Sequence, residues 1–328
     1  MARTTPPRRA DIAAVFPELE RLARQTVRLH PRLGAPTAHD SSVGGPLLWP
    51  AGESWPACEG PHPEDDLPVS PADVRLRRQL HRAGPLGGST IEQWRAAVDA
   101  TYEGHPWSGE PNALLPVAQL YACDIPDLPC PAGADLLQVL WCPLNHEPQW
   151  MPASRVVWRS STDVGELLAQ PPLPADVSRY GDYVPEPCVL HPEVVTEFQS
   201  PFELENDLRE RIEDWCEREF TGTDPRYLYP EEFRAYYQYE LSVAPGWKVG
   251  GWGPWSFCDP SVMECTTCDG VMRPLLTISS GALDGTGWDP IEDREVREDI
   301  GIMIGRSYHM QLYYCPSSFD HPHLEIMQ

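Results

Sequence analysis

One core pattern occurs twice in this chain, and the repetition constrains the fold more than any other feature. The first copy has Val43-Gly44-Gly45 followed by Trp49, and the second has Val249-Gly250-Gly251 followed by Trp255 at the same spacing. Two strand-like segments follow in each copy, and the later one ends in Cys-Pro; they lie at 115–122, 135–142, 274–279 and 310–315. Each copy is therefore predicted to be one supersecondary unit, and the two units are predicted to bury a shared core.

The fold class predicted from this pattern is α+β, with two pseudo-symmetric β units that share one core and with helices inserted between the strands. Both faces of the strand-like segments carry apolar residues, which is typical of a sheet covered on both sides. The predicted divisions are an N-terminal helix in 1–40, a first β unit in 41–160 with a helical insertion at 59–113, a Pro-rich connector with helices in 161–238, and a second β unit in 239–328.

Helical spacing is clearest outside the two copies. Asp11 is a suitable N-cap for a helix that places Leu19, Leu22, Thr26 and Leu29 on one face and ends at Pro31. Ser89 and Glu92 have the spacing of a capping box. Further helices are predicted near 71–83, 90–103, 201–220 and 230–238.

The charge of the chain excludes some partners and favours others. The 328 residues include 25 basic and 49 acidic side chains, which gives a net charge of -24. Such a surface repels nucleic-acid phosphates and anionic lipids, so we expect neither as a partner. An acidic surface also favours a basic protein client. The alternative is that the charge serves only to keep the protein soluble.

The location of the protein is predicted from what the sequence lacks. The N-terminal residues contain no apolar signal-peptide core, and no apolar run approaches the length of a membrane span. The ten cysteines then read as reduced thiols of a cytoplasmic protein.

The strongest chemical signal is Cys265-Thr266-Thr267-Cys268, followed by Asp269-Gly270. A C-x-x-C before a turn is typical of one half of a zinc site, and zinc takes four ligands. If 274–279 pairs antiparallel with 310–315, Cys315 lies near Cys268 and becomes the third ligand. The fourth ligand is then His321, which we take first, or His323, or Cys258. The alternatives are unliganded loop thiols and a redox pair, although the motif does not open a helix as a thioredoxin-type motif would.

The first copy lacks a C-x-x-C motif. Cys142 and His146 occupy the matching position, and only Cys58 and His62 lie near the start of the copy. A lone cysteine at a strand end is usually a small buried side chain, so we expect no metal site in this half.

The contact surface for a basic client is predicted where aromatic and acidic residues are concentrated. Aromatic side chains supply large, rigid contact area, although twelve tryptophans in a β framework also suit core packing. The run 291–299 is strongly acidic and is otherwise a solvated loop. The predicted partner-binding residues are Trp252, Trp255, Glu292, Asp293 and Glu295.

No catalytic motif is recognisable in the sequence. It contains no G-x-S-x-G elbow, no H-E-x-x-H and no complete phosphate loop. The predicted function is therefore a non-enzymatic protein-binding or chaperone-like factor. The alternative is an enzyme of unrecognised type with a pocket between the two units, for which His309, Asp284 and Cys265 are the available groups.

The order of these motifs resembles that of the YwqG-like family of bacterial proteins. The resemblance lies in the Gly-Gly segments with their following Trp, in 115–121 and 136–139, and in Cys265-x-x-Cys268 before 275–278. The same order is similar to that of the eukaryotic programmed-cell-death-protein-two group, which includes chaperones of a ribosomal protein. Unlike that group, this chain has no evident second zinc-finger module. The resemblance implies a duplicated β-rich fold and the metal ligands given above, and it implies no catalytic residue.

Overall fold

A computed structural model describes residues 2–62, 67–85, 90–256, 258–281, 286–293 and 299–328. The fold is α+β, as predicted, and its strands form antiparallel sheets. The strands in chain order are β1 (Arg24–Arg28), β2 (Arg32–Leu33), β3 (Ser42–Val43), β4 (Ala57–Cys58), β5 (Asn112–Ala113), β6 (Leu115–Tyr121), β7 (Leu136–Trp141), β8 (Ser154–Arg159), β9 (Cys188–Val189), β10 (Glu193–Glu197), β11 (Lys248–Gly250), β12 (Arg273–Ser279), β13 (His309–Tyr314) and β14 (Leu324–Met327).

Two six-stranded sheets carry the fold. The first sheet has the order β2-β9-β3-β6-β7-β8, and the second has the order β10-β1-β11-β12-β13-β14. Strands β4 and β5 form a small separate pair. Within each sheet the last four strands come in the same chain order, and the ladder shifts register after a proline in both, at Pro116 and at Pro274. The pseudo-two-fold relation itself stays a prediction, which a superposition of these strand sets tests.

The main hydrophobic core takes side chains from both sheets. Val43 and Leu137 of the first sheet and Leu276 and Leu312 of the second belong to one cluster of buried residues. All six residues of β7 are buried, which explains why its sequence does not alternate between apolar and polar.

The Gly-Gly segments lie at the ends of β3 and β11. Gly44, Gly45, Gly250 and Gly251 all have positive φ, between 69° and 79°, where residues with a side chain are strained. A Cβ on Gly44 would lie 2.5 Å from a backbone oxygen, so at that position the close approach also requires glycine.

The helices are α1 (Ile12–Val15), α2 (Pro71–Ala83), α3 (Ile91–Ala100) and α4 (Asn206–Phe220). Helix α3 has its capping box at Thr90 and Gln93 rather than at the predicted Ser89, which lies outside the described residues. The predicted helix at 230–238 is instead a 3-10 turn, Pro230–Ala235, followed by a π-helical turn, Tyr237–Leu241. No helix in the described ranges is long and apolar enough to cross a membrane.

The prediction of one N-terminal helix through Leu29 is wrong. The helix stops at Val15, a 3-10 turn follows at Pro17–Leu22, and Thr26 lies in strand β1. Strand β1 pairs with both β10 and β11, so long-range sheet pairing outweighs the local helical spacing. The connector 161–238 likewise contributes strands, since β9 and β10 join the first and second sheets respectively.

The only lysine of the chain lies inside the second sheet. Lys248 in β11 is fully buried, and its Nζ lies 2.7 and 2.9 Å from the two carboxylate oxygens of Glu197, which is also fully buried. Nζ also donates to the carbonyl oxygen of Trp252 at 2.9 Å, and Glu197 accepts the backbone N–H of Ala244 at 2.8 Å. Each charge therefore has several partners, as a buried ion pair requires.

Candidate metal centres and the groove between them

The four predicted ligands of the second half lie together. The Sγ atoms of Cys265, Cys268 and Cys315 and a ring nitrogen of His321 all lie within 4.8 Å of one another. Cys315 directly follows β13, whose antiparallel pairing with β12 brings it back towards the C-x-x-C turn. This cluster, which we call the C-terminal cluster, could hold a metal ion.

A tight turn shapes the C-x-x-C segment of this cluster. The backbone N–H of Asp269 donates to the carbonyl oxygen of Cys265 at 2.9 Å, and Asp269 has a φ of +55°. The N–H of Thr267 points at the sulfur of Cys265 at 3.4 Å. Backbone N–H groups directed at sulfur favour the thiolate, which is the form that binds metals.

The first half contains a second cluster that could hold a metal ion, although the sequence predicts no metal site there. Cys58, His62, Cys142 and His146 place their ligand atoms within 4.8 Å of one another, and we call them the N-terminal cluster. Cys142 follows β7 as Cys315 follows β13, and it is buried as expected, but it is not alone. The missed signal is a repeated spacing, because each half of the cluster reads Cys-x-x-x-His.

The distances within both clusters suit a tetrahedral ion. In the N-terminal cluster, the sulfur of Cys58 lies 3.4 Å from His62 Nε2 and 3.7 Å from His146 Nε2, and Cys142 lies 3.3 Å from His62 Nε2. A zinc ion with Zn–S of about 2.3 Å and Zn–N of about 2.0–2.1 Å would separate its ligand atoms by about 3.3–3.8 Å.

The C-terminal cluster has the same dimensions. The sulfurs of Cys268 and Cys315 are 3.6 Å apart, and Nδ1 of His321 lies 3.4 Å from Cys265 and 3.3 Å from Cys315. Such sulfur separations exceed a covalent S–S bond of about 2.05 Å, and all ten cysteines are free thiols.

The clusters shift the pKa values of their thiols. Burial acts to raise the pKa of Cys315, but hydrogen bonds from His321 and from the backbone outweigh burial and lower it to about 6. Hydrogen bonds from Cys142, His146 and His62 lower the pKa of Cys58. Each cluster thus favours a thiolate before any metal is considered.

The two other ligands considered for the second half lie elsewhere. The sulfur of Cys258 accepts a hydrogen bond from the side chain of Gln328 at 2.8 Å, and Cys258 is exposed. The Nε2 atom of His323 lies 2.8 Å from the hydroxyl oxygen of Ser154. His321 is therefore the histidine that completes this candidate ligand set.

A groove with a volume of about 490 Å³ borders both clusters. Cys58 of the N-terminal cluster and Cys315 and His321 of the C-terminal cluster line it. Aromatic side chains form part of its wall, since Phe319 stacks on Tyr314 at 5.3 Å and meets Trp158 edge-on at 5.2 Å.

Strand β8, at the edge of the first sheet, forms one side of this groove. Among the described residues β8 pairs only with β7, so its outer edge is not covered by another strand. Ser154 at its start links the two sheets, because its backbone N–H donates to Glu325 of β14 at 2.9 Å. Its hydroxyl also donates to Glu325 and contacts His323.

The five predicted partner-binding residues do not form one exposed surface. Trp255 and Asp293 are buried, and Asp293 pairs with Arg3 and Arg32 because a buried carboxylate needs a cation. The ring of Trp252 is covered by Arg24, whose Cζ lies 3.3 Å from the ring centroid.

Glu292 is exposed and accepts the backbone N–H of Thr4 at 2.9 Å, whereas Glu295 lies outside the described residues. The predicted contact is therefore wrong for Asp293, whose carboxylate is buried in ion pairs, and for Trp255, whose ring lines a cavity and not an exposed surface.

The two described groups named for an enzyme, Cys265 and His309, are not assembled into one site. Cys265 belongs to the C-terminal cluster, and His309 begins the strand that Cys315 follows. His309 and Cys315 are six residues apart along an extended strand, which is a distance of about 20 Å. Asp284 lies outside the described residues.

The chain matches no protein-family model, and no curated protein matches it.

Proposed function

We propose that this protein is a non-enzymatic, chaperone-like factor that binds a basic protein segment in the groove between the two clusters. In this proposal each cluster holds one structural zinc ion. The observation that carries the proposal is the groove itself, because it combines aromatic walls, an uncovered strand edge and acidic neighbours at both clusters.

Zinc is the metal favoured by the ligands. Thiolate and imidazole donors at tetrahedral separations are typical of zinc sites, and four protein ligands close the coordination sphere. A closed site supports structure rather than catalysis, because catalytic zinc keeps a position for water or substrate. Since Cys142 and Cys315 each follow a central strand, bound metal would fix the strand ends to the loops that form the groove.

Acidic residues beside the metal ligands favour a basic client. Glu59, Glu147 and Asp269 each directly follow a ligand, Asp320 directly precedes one, and all four are exposed. Asp320 also lines the groove, where Arg155 is the opposing cation. Charges at a rim mainly increase the association rate and select the partner, whereas buried aromatics supply affinity.

The edge of β8 supplies the third element. An extended segment laid against an edge strand gains main-chain hydrogen bonds irrespective of its sequence, and side-chain pockets then select it. Trp158 in β8 and Phe319 opposite offer such a pocket for an apolar side chain within the basic segment.

An enzyme with its pocket between the two units is the second candidate, and Ser154 is the observation that favours it. Ser154 and His323 line the groove, and the hydroxyl of Ser154 contacts both His323 and Glu325. However, the hydroxyl of Ser154 donates to Glu325, so Nε2 of His323 is the donor to Ser154 and not its base. A Ser154→Ala variant assayed on a panel of activated esters tests this candidate, and hydrolysis that depends on Ser154 would favour it over the binder.

Zinc content tests the structural part of the proposal. We expect two zinc ions per chain by elemental analysis, and one each in Cys58→Ser and Cys268→Ser. Cys123→Ser is the control, because Cys123 is exposed and belongs to neither cluster. Absence of zinc from protein purified without chelator would refute the metal assignment.

Peptide binding tests the functional part. A fluorescent Arg-rich peptide that contains one aromatic residue should bind at about 50 mM salt and weaken strongly at about 500 mM, because exposed charges are screened. RNA of matched length should not bind. Equal binding of RNA, or no peptide binding at low salt, would overturn the proposal.

Two pairs of variants locate the contact. Phe319→Ala should weaken peptide binding about fivefold or more, whereas Tyr180→Ala, at another exposed aromatic, should not. Glu59→Gln with Asp320→Asn should reduce binding more than Glu210→Gln with Glu219→Gln, which removes the same charge from helix α4. If the two charge pairs behave alike, the binding is diffuse and the groove is not the site.

A further inference from the structure

A second cavity lies at the end of the second sheet opposite the C-terminal cluster. Its volume is about 440 Å³, which falls in the range of small-molecule sites. His309 at the start of β13 lines it, as do Tyr239 of the π-helical turn and Pro254 and Trp255 from the segment after β11. It is therefore separate from the groove between the clusters.

The lining of this cavity is polar but uncharged. Among the described residues no acidic or basic side chain other than His309 lines it. Six serine or threonine hydroxyls line it, from Ser200, Ser242, Ser256, Ser280, Thr286 and Ser307. Burying a charged ligand here would leave its charge without a counter-ion, which is strongly unfavourable.

Several of these hydroxyls have already used their hydrogens. Ser242 donates to the carbonyl oxygen of Gln238 at 2.8 Å, and Ser280 donates to that of Tyr308 at 2.7 Å. What they retain is acceptor capacity, because a hydroxyl has two lone pairs, of which Ser280 already uses one for the backbone N–H of Ile304 at 2.7 Å. The cavity therefore suits a ligand that brings O–H or N–H donors of its own.

His309 has a polar atom without a partner. Its Nδ1 is buried and makes no hydrogen bond, which is rare in a folded protein. Burial lowers the pKa of His309 to about 4, with the nearby Lys248 ammonium as a smaller cause, so the ring is neutral at pH 7. A neutral imidazole offers one donor and one acceptor.

The matching position of the first sheet is closed. Ser279 pairs with His309 at the end of the β12–β13 ladder, and Tyr121 pairs with Leu136 at the same end of the β6–β7 ladder. Leu136, Tyr121 and Leu48 form a small buried apolar cluster there. The same strand geometry thus accommodates a packed apolar cluster in one sheet and a polar cavity in the other, so the framework does not require the opening.

We propose that this cavity binds an uncharged small molecule with several hydroxyl groups, of monosaccharide size. The hydroxyl acceptors and the imidazole would bind the ligand's O–H groups, and Trp255 and Tyr239 would contact its apolar face. This inference is independent of the function proposed for the groove.

Saturation-transfer NMR on the full chain tests the proposal with glucose, galactose and mannose and with their uronic-acid and amino-sugar analogues. We expect at least one neutral sugar to bind and its two charged analogues to bind at least tenfold more weakly. His309→Leu copies the residue that closes the first sheet, so it should abolish binding while the melting temperature stays equal or rises. His39→Leu is the matched control, because His39 is exposed, and it should bind as the unchanged protein does.

Ser256→Leu provides a second test, because Ser256 is exposed at the cavity and its replacement narrows the cavity without touching the core. It should weaken binding at least fivefold. Failure of all neutral sugars to bind, equal binding of charged analogues, or unchanged binding by folded His309→Leu would each overturn the proposal.

Discussion

Removal of the one lysine should be among the most destabilising single changes in the chain. Lys248→Met deletes the ammonium but leaves the Glu197 carboxylate fully buried, with only backbone N–H donors around it. Removing one partner of a buried ion pair costs about 3–5 kcal/mol, because the remaining charge is uncompensated. We expect a loss of that size in the free energy of unfolding.

The corresponding shift in melting temperature follows from the size of the chain. Unfolding entropy is about 2.1 cal/mol/K per residue near 60 °C, so 328 residues give about 0.7 kcal/mol/K. A loss of 3–5 kcal/mol then lowers Tm by about 4–7 °C. Urea denaturation followed by circular dichroism measures the free energy, and calorimetry measures Tm.

Two further variants separate the buried charge from simple loss of packing. The double variant Glu197→Gln with Lys248→Met should recover most of the loss, because a neutral amide oxygen still accepts the N–H of Ala244. Arg211→Met removes an exposed pair with Glu18 and should cost about 1 kcal/mol or less. If Lys248→Met costs no more than Arg211→Met, or if the double variant is as unstable as the single one, the reasoning is wrong.

Three other predictions test the electrostatics, the core and the backbone. Burial lowers the pKa of His30 to about 4, so stability should fall as the pH drops from about 6.5 to 4, and His30→Gln should flatten that part of the curve. Hydrogen bonds from His30 and Thr5 outweigh burial and lower the pKa of Glu193 to about 2. Stability should therefore continue to fall below pH 4.5, because the unfolded chain then binds a proton at Glu193 that the folded chain does not. Leu137→Ala should lower the free energy of unfolding by about 2–5 kcal/mol, measured by denaturation, because Leu137 is fully buried in the main core. A smaller loss would mean that neighbouring side chains fill the space left by Leu137. Gly44→Ala should destabilise more than Gly250→Ala, since both have positive φ but only Gly44 lacks room for a Cβ, and equal losses would contradict the steric argument.

The sequence predicts the C-terminal cluster better than the N-terminal one for a physical reason. Cys265 and Cys268 are neighbours in the chain, and pairing of two adjacent strands in one ladder suffices to place Cys315 beside them. In the N-terminal cluster, the insertion 59–113 separates Cys58 from strands β6 and β7. Only the pairing of β4 with β5 in the folded chain shows that the end of the insertion returns to Cys58. Distances of this kind depend on tertiary structure that spacing alone does not encode.

The same limit explains the errors outside the clusters. Helices α2 and α3 are predicted close to their observed bounds because helical spacing is a local signal, although the capping box of α3 lies one residue beyond the predicted one. Strand β1 is not, because its conformation depends on partners more than 160 residues away. The burial of Asp293 likewise cannot be predicted from the acidic sequence around it, since its partners Arg3 and Arg32 lie near the other end of the chain.

The burial of Lys248 also affects the chemical reactivity of the protein. Since no other lysine exists, the folded chain exposes no side-chain amine to the solvent. Acylating reagents directed at lysine would modify it only when the second sheet opens. The rate of that reaction therefore reports how often this sheet opens, at a single residue and without any introduced label.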